Sequence, residues 1–146
     1  MISLILAAAL VAPSDAAYEA ILKKDGRVHA AQYLDAIEVN IRPELRERLA
    51  PIVAAIRYAE NGRAGREYGC LSKYAKDKTY RKQAGECAYT VQRQWDRWQK
   101  AGARGDFIVS LGNRYCPVGA DNDNGTNKYW IKNVQAISAR FTKEAK

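Results

Sequence analysis

An all-α fold is predicted by two observations. Apolar residues recur at intervals of three and four along most of the chain, and residues suited to helix ends bound those stretches. A minor β element is allowed only in the irregular stretch 61–82, and in "FIVSL" taken by itself. At 146 residues the chain reads as one domain with a sizeable core, and no repeat or low-complexity tract divides it.

The elements follow in order. The opening "MISLILAAALVAPSDA" carries an uncharged apolar run from Ile2 to Ala12, then Pro13 and small residues, and reads as a short secretory signal over 1–16. That leaves 17–146 as the folded domain. The run is shorter than the ~20 apolar residues a transmembrane helix needs, so no membrane span is expected. No Lys or Arg precedes it, which keeps a buried N-terminal helix as the alternative. Asp25-Gly26 separates helices expected over 16–24 and 28–39. Pro43 suits a first helical turn, and Leu45, Leu49, Ile52 and Ile56 then form a core stripe. Pro51 within that stripe should kink the helix or divide it. Asn61-Gly62 offers a left-handed C-cap.

A long structured loop is expected over 61–82. Ala84, Cys87, Val91, Trp95 and Trp98 mark a helix ending near Ala101-Gly102, with the tryptophans as core anchors. Asp106 can cap a helix carrying Phe107, Ile108, Leu111 and Tyr115. After the polar "CPVGADNDNGTN", Trp130, Val134, Ile137 and Phe141 repeat at helical spacing, capped by Thr126 or Asn127.

Lys and Arg outnumber Asp and Glu by 24 to 16, and the resulting +8 favours an anionic partner: nucleic acid, a membrane surface or an acidic wall polymer. Cys70, Cys87 and Cys116 form no CxxC pair, and His29 is the single histidine, so neither a metal site nor a cofactor is expected. A Cys–His dyad would have to recruit His29 from an amphipathic helix. "DNDNGTN" has the oxygen-rich look of a calcium loop, but Lys132 stands where the bidentate Glu of such a loop belongs, and a capping turn is the simpler reading.

The stretch "AIRYAENGRAGREYG" places Glu60 at the end of an apolar helix. At helical spacing Glu60 falls on the apolar side, between Val53 and Ile56, and should be partly buried. Burial and the negative end of the helix dipole both raise a carboxyl's pKa. A carboxylic acid held protonated near neutral pH is what a glycosidase uses to protonate a leaving glycosidic oxygen. The competing reading pairs Glu60 with Arg57, Arg63 or Arg66 at a solvated helix end.

The order of a helix closed by Glu60, a glycine-rich loop, "EYGCLS", a long helix, "GDFIVSLGNRYCP" and "NKYWIKNV" resembles the lysozyme-like superfamily, over roughly residues 51–134. That superfamily includes lytic transglycosylases, goose-type lysozymes and bacterial glucosaminidases. In place of the usual transglycosylase "ES-G" and "GLMQ" stand "ENG" and "YGCL". The resemblance implies a helical domain with a substrate cleft, Glu60 as catalytic acid and Tyr68-Gly69 as cleft wall. It further implies that Tyr115 and Trp130 stack on sugar rings beside Asn127, with peptidoglycan strands as substrate for a monomeric, extracytoplasmic bacterial or phage enzyme.

Hydrolysis normally needs a second carboxylate. Glu67 is nearest in sequence, although a surface ion pair with an arginine also accounts for it; Asp106, Asp121 and Asp123 are alternatives. A lytic transglycosylase, by the same resemblance, needs only one glutamate. Two other functions compete. One is a wall-binding or virion structural module of the same fold without catalysis. The other is a basic nucleic-acid-binding domain using "LSKYAKDKTYRKQ" and "QRQWDRWQK".

Overall fold

A computed structural model describes residues 15–144; the proposed leader therefore lies outside the described residues except at its last two positions. Five α-helices make up the described chain, with no strand among the described residues: α1 (Ala16–Asn40), α2 (Arg46–Glu60), α3 (Tyr80–Lys100), α4 (Phe107–Tyr115) and α5 (Trp130–Glu144). Short 3-10 turns at Pro43–Leu45 and Asn127–Tyr129 lead into α2 and α5.

Helix α1 starts where the Asp15 carboxylate accepts the Ala17 N–H at 2.8 Å. At Gly26 it breaks direction: φ is +88°, open to glycine at little cost, so two helical halves meet there as the Asp25-Gly26 pair predicts. The sequence stripe understates α2. Nine consecutive residues, from Leu49 to Arg57, are buried, so this helix is enclosed on all sides rather than on one. It packs against α1, α3 and α5, and its aliphatic residues join one core cluster shared by all five helices. Pro51 does not divide it: 46–60 is a single helix with the proline buried inside. Asn61 closes it in the left-handed conformation (φ +48°, ψ +39°).

Thr79 caps α3, whose Ala84, Cys87, Ala88, Val91 and Trp95 face the core. Trp95 and Trp98 meet Phe107 of α4 with ring centroids 5.1 and 5.5 Å away, an aromatic seam between the two helices. Asp106 caps α4 through Ile108 N–H at 2.7 Å. No described helix is long and apolar enough to cross a membrane.

Two buried polar anchors hold the loop between α2 and α3. Arg57 makes a two-pronged pair with Asp25 of α1, 2.8 Å on each arm, the side chains 9% and 7% exposed. The guanidinium also donates to the Glu67 carbonyl, and Tyr80 O–H donates to Asp25 at 2.8 Å. Gln83, fully buried, uses its amide completely. Its oxygen accepts from the N–H groups of Tyr68 (3.0 Å) and Cys70 (3.2 Å), and its nitrogen donates to the carbonyls of Cys70 (2.8 Å) and Ala75 (2.9 Å). Without these bonds three backbone groups of the loop, the N–H of Tyr68 and both the N–H and carbonyl of Cys70, would be orphaned, while the Ala75 carbonyl would keep the Lys78 N–H.

Candidate functional site

Helix α2 ends at Glu60, which lines an open groove of about 430 Å3. The loop segment Gly69, Cys70, Leu71 and Ser72 lines it together with Tyr115, Cys116, Asn122, Asn124 and Asn127, and the Tyr115 hydroxyl touches the Cys70 thiol at 3.2 Å. Glu60 is half-buried, and burial pushes its carboxyl above the ordinary carboxylate range. The Trp130 indole, directed at the same carboxyl, opposes that rise in part. It nevertheless reaches no hydrogen bond of normal geometry, and Nε1 is a buried donor without a partner.

The ion-pair reading of Glu60 is overturned by where the arginines go. Arg57 is spent on Asp25, while Arg63 and Arg66 both bind Asp77, at 3.2 and 2.9 Å. Among the described residues Glu60 has no ion pair, although Arg66 and Arg114 line the same groove.

Gly69 sets the distance of closest approach. Its φ of +71° is left-handed, and a Cβ built there would overlap the Glu60 carboxyl carbon and both oxygens. Only glycine lets the wall lie against this acid. Gly69→Ala is expected to cost more than about 1 kcal/mol and to displace the carboxyl. Thermal melting checks the first effect, as a fall in melting temperature relative to wild type.

The other sequence-derived residues divide. Tyr115 and Asn127 line the groove with Glu60 and Gly69. Tyr68 does not: it is fully buried, its hydroxyl bonded to Tyr80 at 2.8 Å, and its carbonyl accepts from the Tyr115 hydroxyl, so it positions the wall from behind. Trp130 is a core residue, 5% exposed, stacked under Tyr115 at 5.2 Å. Its contact with the groove is through Tyr115 and Glu60 rather than through an open ring face. Glu67 forms no surface ion pair. It is 6% exposed, its Oε1 accepts the Gly65 N–H at 2.9 Å, and it is absent from the groove lining.

Sequence reasoning missed Glu86. It lines the same groove from α3, one helical turn from Thr90, which lines it too. Its signal was the i, i+4 spacing of two polar residues flanking the α3 core stripe.

The remaining groups narrow the chemistry. Cys70, Cys87 and Cys116 are free thiols. Burial, helped by Glu60 and Asp123, pushes the groove-lining Cys116 thiol up to about 11. His29 stacks on Tyr80 at 4.1 Å. In "DNDNGTN" the Asp123 carboxylate accepts the N–H groups of Gly119, Gly125 and Asn127, so it organises the turn that forms the far edge of the groove.

Compared with known proteins, the chain matches no family model, no curated protein and no solved structure.

Proposed function

We propose that the chain is a glycosidase that cleaves peptidoglycan glycan strands, with Glu60 as general acid/base. One observation carries the reading: a half-buried carboxyl, raised in pKa by burial and free of ion pairs among the described residues, lines an open groove. The resemblance of residues 51–134 to the lysozyme-like superfamily supports it, with Glu60 in the acid position and Gly69 in the wall. Tyr115 offers a ring edge to a sugar, and the amides of Asn122, Asn124 and Asn127 offer donors and acceptors suited to acetamido groups. The +8 charge would draw the chain to an anionic wall, in an extracytoplasmic setting of bacterial or phage origin.

A second reading, nucleic-acid binding, draws on a neighbouring groove lined by Lys73, Lys78 and Lys82 with the exposed rings of Tyr74 and Tyr89. One experiment separates the two. The full chain is incubated with purified bacterial walls and, separately, with a labelled oligonucleotide at physiological salt. The glycosidase reading expects loss of wall turbidity and only weak, steeply salt-dependent oligonucleotide binding. Tight binding at physiological salt with intact walls would reverse the order of the two readings.

A further inference from the structure

We propose that Glu86 is the second catalytic carboxylate of the Glu60 groove, acting as the base that activates water, so that the reaction is hydrolysis. This rests on the reading of Glu60 as the acid.

The acids of the described chain are mostly accounted for by structure. Asp25, Asp35, Asp77, Asp96 and Glu44 stand in ion pairs. Asp15, Asp106 and Asp123 cap backbone N–H groups, and Glu67 holds Gly65. Two acidic side chains line the groove, Glu60 and Glu86, and they come from different helices. Glu86 is half-buried and makes no hydrogen bond or ion pair among the described residues, so its carboxylate is not committed to a structural contact.

The environments differ in the way a two-carboxylate mechanism needs. Glu60 sits against the Gly69 backbone and the buried Trp130 indole. Glu86 stands on the open flank of α3, where the groove continues into the lysine- and tyrosine-lined one; both grooves share this residue. A polymer following that track passes over Glu86. One carboxyl packed against backbone and an indole and one on a helix flank shared by two grooves are settings suited to an acid and a base.

The step balances with water as co-reactant. The Glu60 proton moves to the glycosidic oxygen as its bond to the anomeric carbon breaks. Glu86 takes a proton from a water molecule whose oxygen forms the new bond to that carbon. Afterwards Glu60 is ionised and Glu86 protonated, and exchange with solvent resets both.

The test gives purified peptidoglycan, in water enriched in the heavy oxygen isotope, to wild type, Glu60→Gln, Glu86→Gln and Glu86→Asp, and weighs the released muropeptides. Wild type is expected to yield reducing-end sugars carrying one heavy oxygen. E86Q is expected to lower turnover by at least about 100-fold with an unchanged melting temperature. Should E86Q melt below the assay temperature, E86D is read instead, with a reduced kcat at a KM within about twofold of wild type. Anhydro-muramyl products, or wild-type turnover in a Glu86 variant, overturn the role of Glu86 while leaving Glu60 in place. Absence of glycan cleavage by wild type, on walls of several types, overturns both.

Discussion

Glu60→Gln is expected to lower wall cleavage by about 100- to 10,000-fold, the range that general acid catalysis contributes, while the fold stays intact. Gln preserves shape and volume and removes only the transferable proton. Stability should hold or rise at neutral pH. Burial raises the pKa of Glu60 in the folded state, so its contribution to stability is full below the unfolded-state pKa and lost as pH rises through the folded one. Above that point the folded chain carries a half-buried charge that a neutral amide does not. The same direction governs the wild-type rate. Proton donation needs the protonated acid, so turnover falls as pH rises through the pKa of Glu60 in the substrate complex. The limb lies above the ordinary carboxylate range. A melting curve and a pH–rate profile for the two proteins check both effects.

Asp25→Ala is expected to be the most damaging substitution for stability, costing about 3–5 kcal/mol, because it strands a buried guanidinium. Arg57 would keep its bonds to the loop carbonyls but lose the carboxylate that neutralises it. Acid should act in the same direction. Burial alone would raise the Asp25 pKa, but the Arg57 and Tyr80 hydrogen bonds outweigh it and hold the carboxyl below its ordinary value. The stability it supplies is therefore fully present above the unfolded pKa of about 3.9 and is lost as pH falls through the folded one. Melting temperatures taken from neutral to acid pH should fall steeply for wild type and more shallowly for the variant, which has already lost the pair. Parallel curves would show that Asp25 does not carry the acid sensitivity. Wall cleavage should also suffer, because Arg57 ties α2 to the loop whose Gly69 abuts Glu60.

Much of the fold is legible in the sequence because its signals are local. Helical spacing marks the four helices after Asn40, Asn61 and Asp106 bound two of them where cap chemistry places them, and Gly26 breaks α1 where Asp25-Gly26 stands. The partial burial of Glu60 also follows from local spacing, because the apolar side of α2 is set by its own residues. What local pattern misses is what faces what. The Arg57–Asp25 pair joins positions 32 residues apart, and without it the arginines near Glu60 look like its natural partners. Glu67 reads as a loop-surface acid, but a left-handed Gly65 (φ +86°) turns its carboxylate back onto the glycine's own N–H. Pro51 reads as a breaker, yet α2 is so enclosed that tertiary packing outweighs the lost backbone bond. Glu86 is one charge on a long helix until it is seen to line one groove with residues 69–72 and with Cys116, Pro117 and the Asn122–Asn127 turn.

Digestion of purified peptidoglycan by the full chain, wild type beside Glu60→Gln, with the soluble fragments identified by mass spectrometry, tests the central claim most directly. The account predicts fragments cut between sugars from wild type and almost none from the variant. Equal glycan cleavage by both proteins would contradict the assignment of Glu60, and intact strands from both would contradict the enzyme itself.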